Sequence, residues 1–380
     1  MSEIQFIDLK AQQDRIRPEI DAAIKRVLDH GQYIMGPEVA ELEERLADYV
    51  GVKHCLGVAS GTDALLMTLM AYGVGPGDAV FTTPFTFVAT GEVISLLGAT
   101  PIFVDIDPRT FNLDPQKLKQ IITSFDQRLT ANGQPLTPKG IIPVDLFGLP
   151  ADYDEINAVA LNHGLFVLED AAQGFGGVYK GSKAGSLADV ATTSFFPAKP
   201  LGCYGDGGAI FTDDNVLADI LKSIRVHGKG SDKYDNVRIG VNGRLDTIQA
   251  AILLPKLDIF PDELESREHV AQTYMQRLQS IPGIKTPVIP NSCMSAWAQF
   301  SILTDTRDSL QKRLNNKKVP TGIYYPKPLH LLPTYEKLGF VKGDFPVSEF
   351  VSEQIMSLPM HPYLDDVTIN IIVDQMVPTL

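Results

Sequence analysis

Three stretches of the chain carry residue types that could do chemistry. The first, Ala59-Ser60-Gly61-Thr62-Asp63-Ala64, follows an apolar run and opens a helical pattern. Free N–H groups and the positive end of a helix dipole suit such a turn to a phosphate, and Gly61 would let the backbone approach it closely. Ordinary N-capping by Ser60 or Thr62 explains the same residues, and for this stretch alone the cap is the preferred reading. The second, Leu165-Phe166-Val167-Leu168-Glu169-Asp170-Ala171-Ala172-Gln173, ends an apolar strand on two carboxylates. That is the edge where open α/β sheets bind ligands, and an Asp there can hold a ligand's positive charge. The plainer alternative has one acid capping the next helix and the other facing water. The third is Ser194-Phe195-Phe196-Pro197-Ala198-Lys199-Pro200-Leu201-Gly202. Lysine is by default a solvated surface residue. Flanked by apolar groups and prolines, Lys199 would be partly desolvated, which lowers its pKa and frees the amine to form a Schiff base.

Each signal is modest alone. Together, in this order, they match what pyridoxal phosphate requires: a turn for the phosphate, a carboxylate for the ring nitrogen and a lysine for the aldehyde.

The elements that must position these groups alternate along the chain. A first helix has Pro18 in its first turn and Ile16, Ile20, Ile24, Val27 and Leu28 on one face, and ends at His30-Gly31. A second runs over about 37–49, with Val39, Leu42 and Leu46 inward. Short apolar runs at 55–59, 79–82, 101–104, 141–144, 165–168, 190–196 and 208–212 predict strands. Helical stretches at 63–72, 90–97 and 153–163 lie between them. Strands alternating with helices predict a mostly parallel sheet covered on both faces. The polar stretch 123–139, with Asn132-Gly133 and two prolines, reads as a surface loop. A helix over 245–259 follows, and beyond Pro261 the alternation loosens. The expected division is a large domain over 15–255 and a small domain over 256–380, completed by residues 1–14.

Composition narrows the function. The 380 residues carry 46 acids against 33 Lys plus Arg, a net charge of −13. With no basic run, nucleic acid is a poor partner. The three cysteines are far apart and the seven histidines are scattered, so neither a disulfide scaffold nor a metal site is expected. The N-terminus carries acids early and lacks a signal-peptide core, and no stretch is apolar enough to span a bilayer, which points to the cytoplasm. A nicotinamide enzyme is disfavoured, because no G-x-G-x-x-G follows the first strand.

The chain resembles the DegT/DnrJ/EryC1/StrS family of sugar aminotransferases over almost its whole length. The resemblance rests on Phe6-Ile7-Asp8-Leu9, Gly36-Pro37, Ser60-Gly61-Thr62-Asp63-Ala64-Leu65, Phe85-Thr86-Phe87-Val88-Ala89-Thr90 and Val104-Asp105-Ile106. It also includes Glu169-Asp170-Ala171-Ala172-Gln173, the Lys199 segment, Asn242-x-Arg244 with Gln249-Ala250-Ala251, and Leu358-Pro359-Met360-His361-Pro362. It implies the fold type I, aspartate aminotransferase-like architecture of pyridoxal phosphate (PLP)-dependent transferases. By resemblance, Lys199 is the Schiff-base lysine, Asp170 pairs with the pyridine nitrogen and Gln173 lies near the ring hydroxyl. Gly61, Thr62 and Ser194 would hold the phosphate, and Phe87 would stack on the ring; as bare residues, Phe87 reads rather as a core aromatic. Asn242 would reach the phosphate in a neighbouring subunit, which implies a homodimer with shared active sites. As a bare residue, Asn242 reads as a loop or N-cap position.

Within the family the chain is most similar to aminotransferases acting on UDP-2-acetamido-2-deoxy-3-keto-glucuronic acid. There, residues matching Gly31, Tyr33, Arg244, Tyr324 and Tyr325 line the nucleotide-sugar site. An Arg suits a uronate carboxylate, because its planar fork matches two oxygens; from the sequence alone, a structural ion pair explains Arg244 at least as well. Ala198 and Tyr324 depart from those relatives, which have Ser and His. The resemblance implies L-glutamate as donor and an amino sugar for surface polysaccharide, a bacterial O-antigen, as product. Three alternatives stand beside it. One is the same chemistry on a dTDP-linked 3-keto-6-deoxyhexose. A sugar dehydratase, whose relatives carry His at the lysine position, is opposed by Lys199. The last is a non-catalytic nucleotide-sugar sensor.

Overall fold

The computed structural model describes residues 3–125, 135–232 and 234–377. Helices α1 (Leu9–Arg15), α2 (Arg17–His30) and α3 (Pro37–Val50) lead into an alternating region. Its elements are β1 (His54–Val58), α4 (Gly61–Ala71), β2 (Asp78–Thr82), α5 (Val88–Leu96), β3 (Thr100–Phe103), α6 (Pro115–Thr123), β4 (Thr137–Ile142), α7 (Tyr153–His163) and β5 (Phe166–Asp170). Two short strands, β6 (Val178–Tyr179) and β7 (Ser182–Lys183), precede β8 (Val190–Ser194), β9 (Gly208–Thr212), α8 (Asn215–Ile224) and the long α9 (Thr247–Leu278). The remainder comprises β10 (Cys293–Met294), β11 (Phe300–Leu303), α10 (Arg307–Asn316), α11 (Pro346–Gln354), β12 (Ile355–Leu358) and α12 (Asp366–Asp374).

Among the described residues the main sheet has seven strands in the order β1-β9-β8-β5-β4-β2-β3. Only β9 runs against its neighbours. Alternate side chains feed opposite faces, as the period of two demands. Leu56, Val80, Ile142, Leu168 and Ile210 pack with α4, α5 and α8. Cys55, Ala191 and Phe211 pack with α3 and α9, while Phe81, Ile141 and Val167 pack with α6 and α7. A sheet covered on both faces is the expected α/β architecture, and it leaves the carboxyl ends of β5 and β8 free to carry a site. No described helix is long and apolar enough to cross a membrane.

The predicted first helix is α2, ended by Gly31 in the left-handed conformation at φ 72°. Leu28 departs from its predicted face and is exposed, because the buried stripe is Ile20, Ala23 and Val27 against α9. The loop expected over 123–139 is shorter at its far end. Thr137 to Lys139 belong to β4. Thr137 and Pro138 lie opposite Asp78 and Ala79 of β2, and Lys139 sits at a register shift, the backbone pairing outweighing a polar, proline-containing sequence. Residues 126–134 of that stretch lie outside the described residues.

The larger difference is α9. Helix was expected to stop near 259, yet it continues through Pro255 and Pro261 to Leu278. Each proline lacks the N–H that an interior position donates. The helix persists because both halves are buried. Leu253, Leu254 and Phe260 sit in the core beneath the sheet, and Val270, Tyr274 and Leu278 pack with β11, β12, α10 and α12. At the N-terminus, the Phe6 carbonyl accepts from Met360 N at 3.1 Å, and the Gln12 amide donates to Glu263 on α9 at 2.8 Å.

Phe260 is fully buried and stacks on Phe175 with centroids 5.8 Å apart. Phe260→Ala should therefore lower stability by about 3–5 kcal/mol, read as an earlier denaturant midpoint with native circular dichroism retained.

Candidate active site

Asp170 ends β5 and is 4% exposed. Its Oδ2 accepts from Thr90 Oγ1 at 2.8 Å and its Oδ1 from Ala172 N at 3.2 Å. Burial raises its pKa, while these two bonds and the positive charge of Lys199 oppose the rise. Neither alternative proposed for the two acids applies: Asp170 and Glu169 are both buried. One turn on, Gln173 is fixed from both ends. Its Oε1 accepts from Phe147 N at 2.9 Å, and its Nε2 donates to the Tyr325 hydroxyl at 3.1 Å.

Lys199 lies in the turn leaving β8, where its N–H donates to the Phe196 carbonyl at 2.9 Å. Its Nζ has no hydrogen-bond or ion-pair partner among the described residues. Burial lowers its pKa and Asp170 opposes the change. Desolvation of this kind keeps an amine available as a nucleophile and proton carrier. The segment beyond Lys199 is clamped to α9. Lys256 Nζ donates to the Gly202 carbonyl at 2.6 Å and sits 4.2 Å from the centre of the Tyr204 ring. Gln249 Oε1 accepts from Tyr204 N at 2.9 Å. Burial lowers the Lys256 pKa to about 8.

The turn at Ser60–Asp63 opens α4. Ser60 is the N-cap, its hydroxyl accepting from Asp63 N at 3.0 Å. The preferred local reading is therefore correct, and it leaves room for the other. A Cβ on Gly61 would stand 2.7 Å from Ser194 Cβ, and one on Gly208 would stand 2.8 Å from Gly61 N. The start of α4, the end of β8 and the start of β9 thus meet with no space for a side chain. A helix N-terminus, a serine hydroxyl and bare backbone converge there, the donor set a phosphate takes. With a buried carboxylate and an unpartnered lysine beyond it, the residues fit pyridoxal phosphate.

The other predicted residues fall into two groups. Tyr325 joins Gln173, and its ring lies 6.5 Å from Phe87 and 6.0 Å from Tyr324. Phe87 caps the start of α5 and is 56% exposed, so it is no core aromatic. Gly31, Tyr33, Asn242 and Arg244 make no hydrogen bond or ring contact with Lys199, Asp170, Gln173 or Tyr325 among the described residues. Tyr33 is exposed, and its carbonyl accepts from Thr247 N at 3.0 Å. Arg244 Nε donates to Asn242 Oδ1 at 3.0 Å and has no acidic partner among the described residues, which counts against the ion-pair explanation. The N-cap of α9 is Asp246, not Asn242.

Sequence reasoning passed over Thr90, which orders Asp170, and Lys256, which clamps the segment after Lys199. Thr90 stands in a quoted motif, but nothing marks it as a partner of a residue on another element. Lys256 is a charge in an apolar helical stretch, the one visible hint of burial with a purpose.

The chain belongs to the DegT/DnrJ/EryC1/StrS aminotransferase family, whose model matches residues 14–377. It is 54% identical, over 97% of its length and 98% of the relative's, to the UDP-2-acetamido-2-deoxy-3-oxo-D-glucuronate aminotransferase of Pseudomonas aeruginosa. A crystal structure of a DegT/DnrJ/EryC1/StrS aminotransferase from Brucella abortus superposes with a TM-score of 0.93 at 50% identity, covering 98% of each chain. The ntda protein of Bacillus subtilis, solved with bound cofactor PMP, the amino form of pyridoxal phosphate, matches with a TM-score of 0.85 at 29% identity. That match covers 98% of this chain and 86% of the other. The fold is therefore that of the PLP-dependent sugar aminotransferases, and the cofactor is pyridoxal phosphate.

Because a Cβ at Gly61 would press on Ser194, Gly61→Ala should weaken cofactor retention. Overpacking costs about 1–3 kcal/mol, so affinity in a fluorescence titration should fall by about tenfold or more.

Proposed function

We propose that the protein moves the amino group of L-glutamate to the keto carbon of UDP-2-acetamido-2-deoxy-3-keto-glucuronic acid. The observation that carries this reading is the full-length 54% identity to an aminotransferase named for that substrate. Pyridoxal phosphate, when bound, supplies an electron sink beside the carbon that loses or gains the amino group. The chain's own residues do the rest. Lys199 Nζ would hold the cofactor's aldehyde, and as a free amine it would be the group that moves a proton at the reacting carbon. Asp170 keeps the ring nitrogen protonated, Gln173 steadies the ring hydroxyl, and Phe87 covers the ring face. Backbone at Gly61 and Thr62, with the Ser194 hydroxyl, holds the phosphate.

The remaining site residues belong to a homodimer in this reading. Asn242 reaches the phosphate in the partner subunit, and Gly31, Tyr33, Arg244, Tyr324 and Tyr325 line the sugar site, with Arg244 on the uronate carboxylate. Two short stretches with exposed apolar side chains, Tyr33 to Met35 and Val237 with Ile239, support covered surfaces in this reading. The lack of an acidic partner for Arg244 among the described residues supports its use on a ligand carboxylate. The division into a large domain over 15–255 and a small domain over 256–380 with 1–14 belongs to the same reading. So do a cytoplasmic location and supply of an amino sugar for surface polysaccharide such as O-antigen.

Competing turnovers test it. With L-glutamate as donor, the cofactor-loaded protein should aminate the UDP-linked 3-keto-uronate faster than a dTDP-linked 3-keto-6-deoxyhexose. The expected ratio in kcat/KM is about 10²-fold or more, with the product identified by mass. Arg244→Ala should raise KM for the uronate and leave KM for a neutral keto-sugar nearly unchanged. Preference for the dTDP sugar would overturn the substrate assignment.

A further inference from the structure

Behind Asp170 lies a second pair of acids that the transamination does not use. Glu169 is fully buried. Its Oε1 accepts from Gly185 N at 2.6 Å and its Oε2 from Leu187 N at 2.9 Å. Asp145, in the turn after β4, is equally buried. Its N–H donates to the Asp170 carbonyl at 3.0 Å. Its Oδ1 accepts from Ala151 N at 3.0 Å and from the Tyr153 hydroxyl at 2.8 Å. The Asp145 and Glu169 side chains are also within hydrogen-bonding reach of each other. Among the described residues no donor reaches Asp145 Oδ2. Gly174 packs so closely that a Cβ there would lie 2.6 Å from that oxygen.

Two carboxylates cannot hydrogen-bond without a proton between them. Burial raises the Glu169 pKa to about 7, and the backbone N–H groups that both its oxygens accept work against this and favour the charged form there. Asp145 Oδ1 accepts twice, which leaves Oδ2 to carry the proton.

We propose that Asp145 is a neutral carboxylic acid donating its Oδ2 proton to the Glu169 carboxylate, and that this bond positions Asp170 and Gln173. It ties the turn of residues 145–151 to β5. That turn supplies Phe147 N to Gln173, and the Asp145 backbone holds the Asp170 carbonyl. The bond also limits the buried charge behind Asp170 to one unit. The positioning role rests on Asp170 and Gln173 serving the cofactor; the shared proton does not.

The titratable neighbours are Glu169 and Asp170 on β5, Tyr153 on α7 and, further off, Cys293 on β10. Burial and Glu169 both raise the Asp145 pKa. A carboxyl raised above its unfolded value stabilises fully below about pH 4 and loses that stability as pH climbs to its folded value.

Infrared spectra of the full chain test the proton directly. At pH 7 a neutral-carboxyl C=O band should be present, and Asp145→Asn should remove it. Asparagine can keep the bond, because its amide donates to Glu169 without a shared proton. The thermal midpoint of Asp145→Asn relative to wild type should therefore rise steadily between pH 5 and pH 9. Asp145→Asn should retain the cofactor, whereas Asp145→Ala should lose affinity about tenfold or more. Absence of the neutral-carboxyl band from wild type at pH 7 overturns the proposal, as does its survival in Asp145→Asn. Cofactor binding by Asp145→Ala equal to wild type would overturn the positioning role alone. None of these readouts depends on which sugar is the substrate.

Discussion

Asp170 and Lys199 are groups of opposite charge drawn out of water, and each opposes the shift that burial imposes on the other. Burial pushes the carboxyl up and the amine down, and their mutual attraction resists both shifts. Lys199 thereby favours the anion at Asp170, and burial eases loss of the Lys199 proton. The sheet and the long helix α9 fix the two backbone segments that carry these side chains.

Two elements do most of the holding. The parallel sheet places the ends of β5 and β8 side by side, so residues distant in sequence meet along one edge. The helix α9 then fixes the segment after Lys199 through Lys256 and Gln249. Its far half anchors the unit that carries Tyr324 and Tyr325 near Phe87. Its persistence through two prolines follows from burial at both ends, which outweighs the lost backbone donors.

Much of this was legible in the residues. Alternating apolar runs located the strands of the main sheet, because each core strand is a short block bounded by turns. Lys199 and a carboxylate at the end of the Asp170 strand could be picked out because the chemistry asks for those types in that order, whereas Gln173 came from the family resemblance. Features made by tertiary contact were not legible. Thr90 meets Asp170 only through packing of α5 on the sheet. Asp145 is an unremarkable acid until Glu169 is found against it. Leu28 fits the helical period yet faces outward, and 137–139 form a strand because β2 lies beside them. The role proposed for Asn242 and Arg244 is not legible within one chain, where their side chains hydrogen-bond to each other and their backbones pair with Val226 and Val58.

The central claim is that Lys199, desolvated and opposed by Asp170, holds the cofactor covalently and surrenders it to an amino donor. The most direct measurement is the visible absorbance of protein loaded with pyridoxal phosphate, before and after L-glutamate, with Lys199→Ala alongside. Wild type should show the band of lysine-bound cofactor and lose it on adding glutamate, and Lys199→Ala should never show it. A wild-type band that glutamate leaves untouched, or the same band in Lys199→Ala, would contradict the claim.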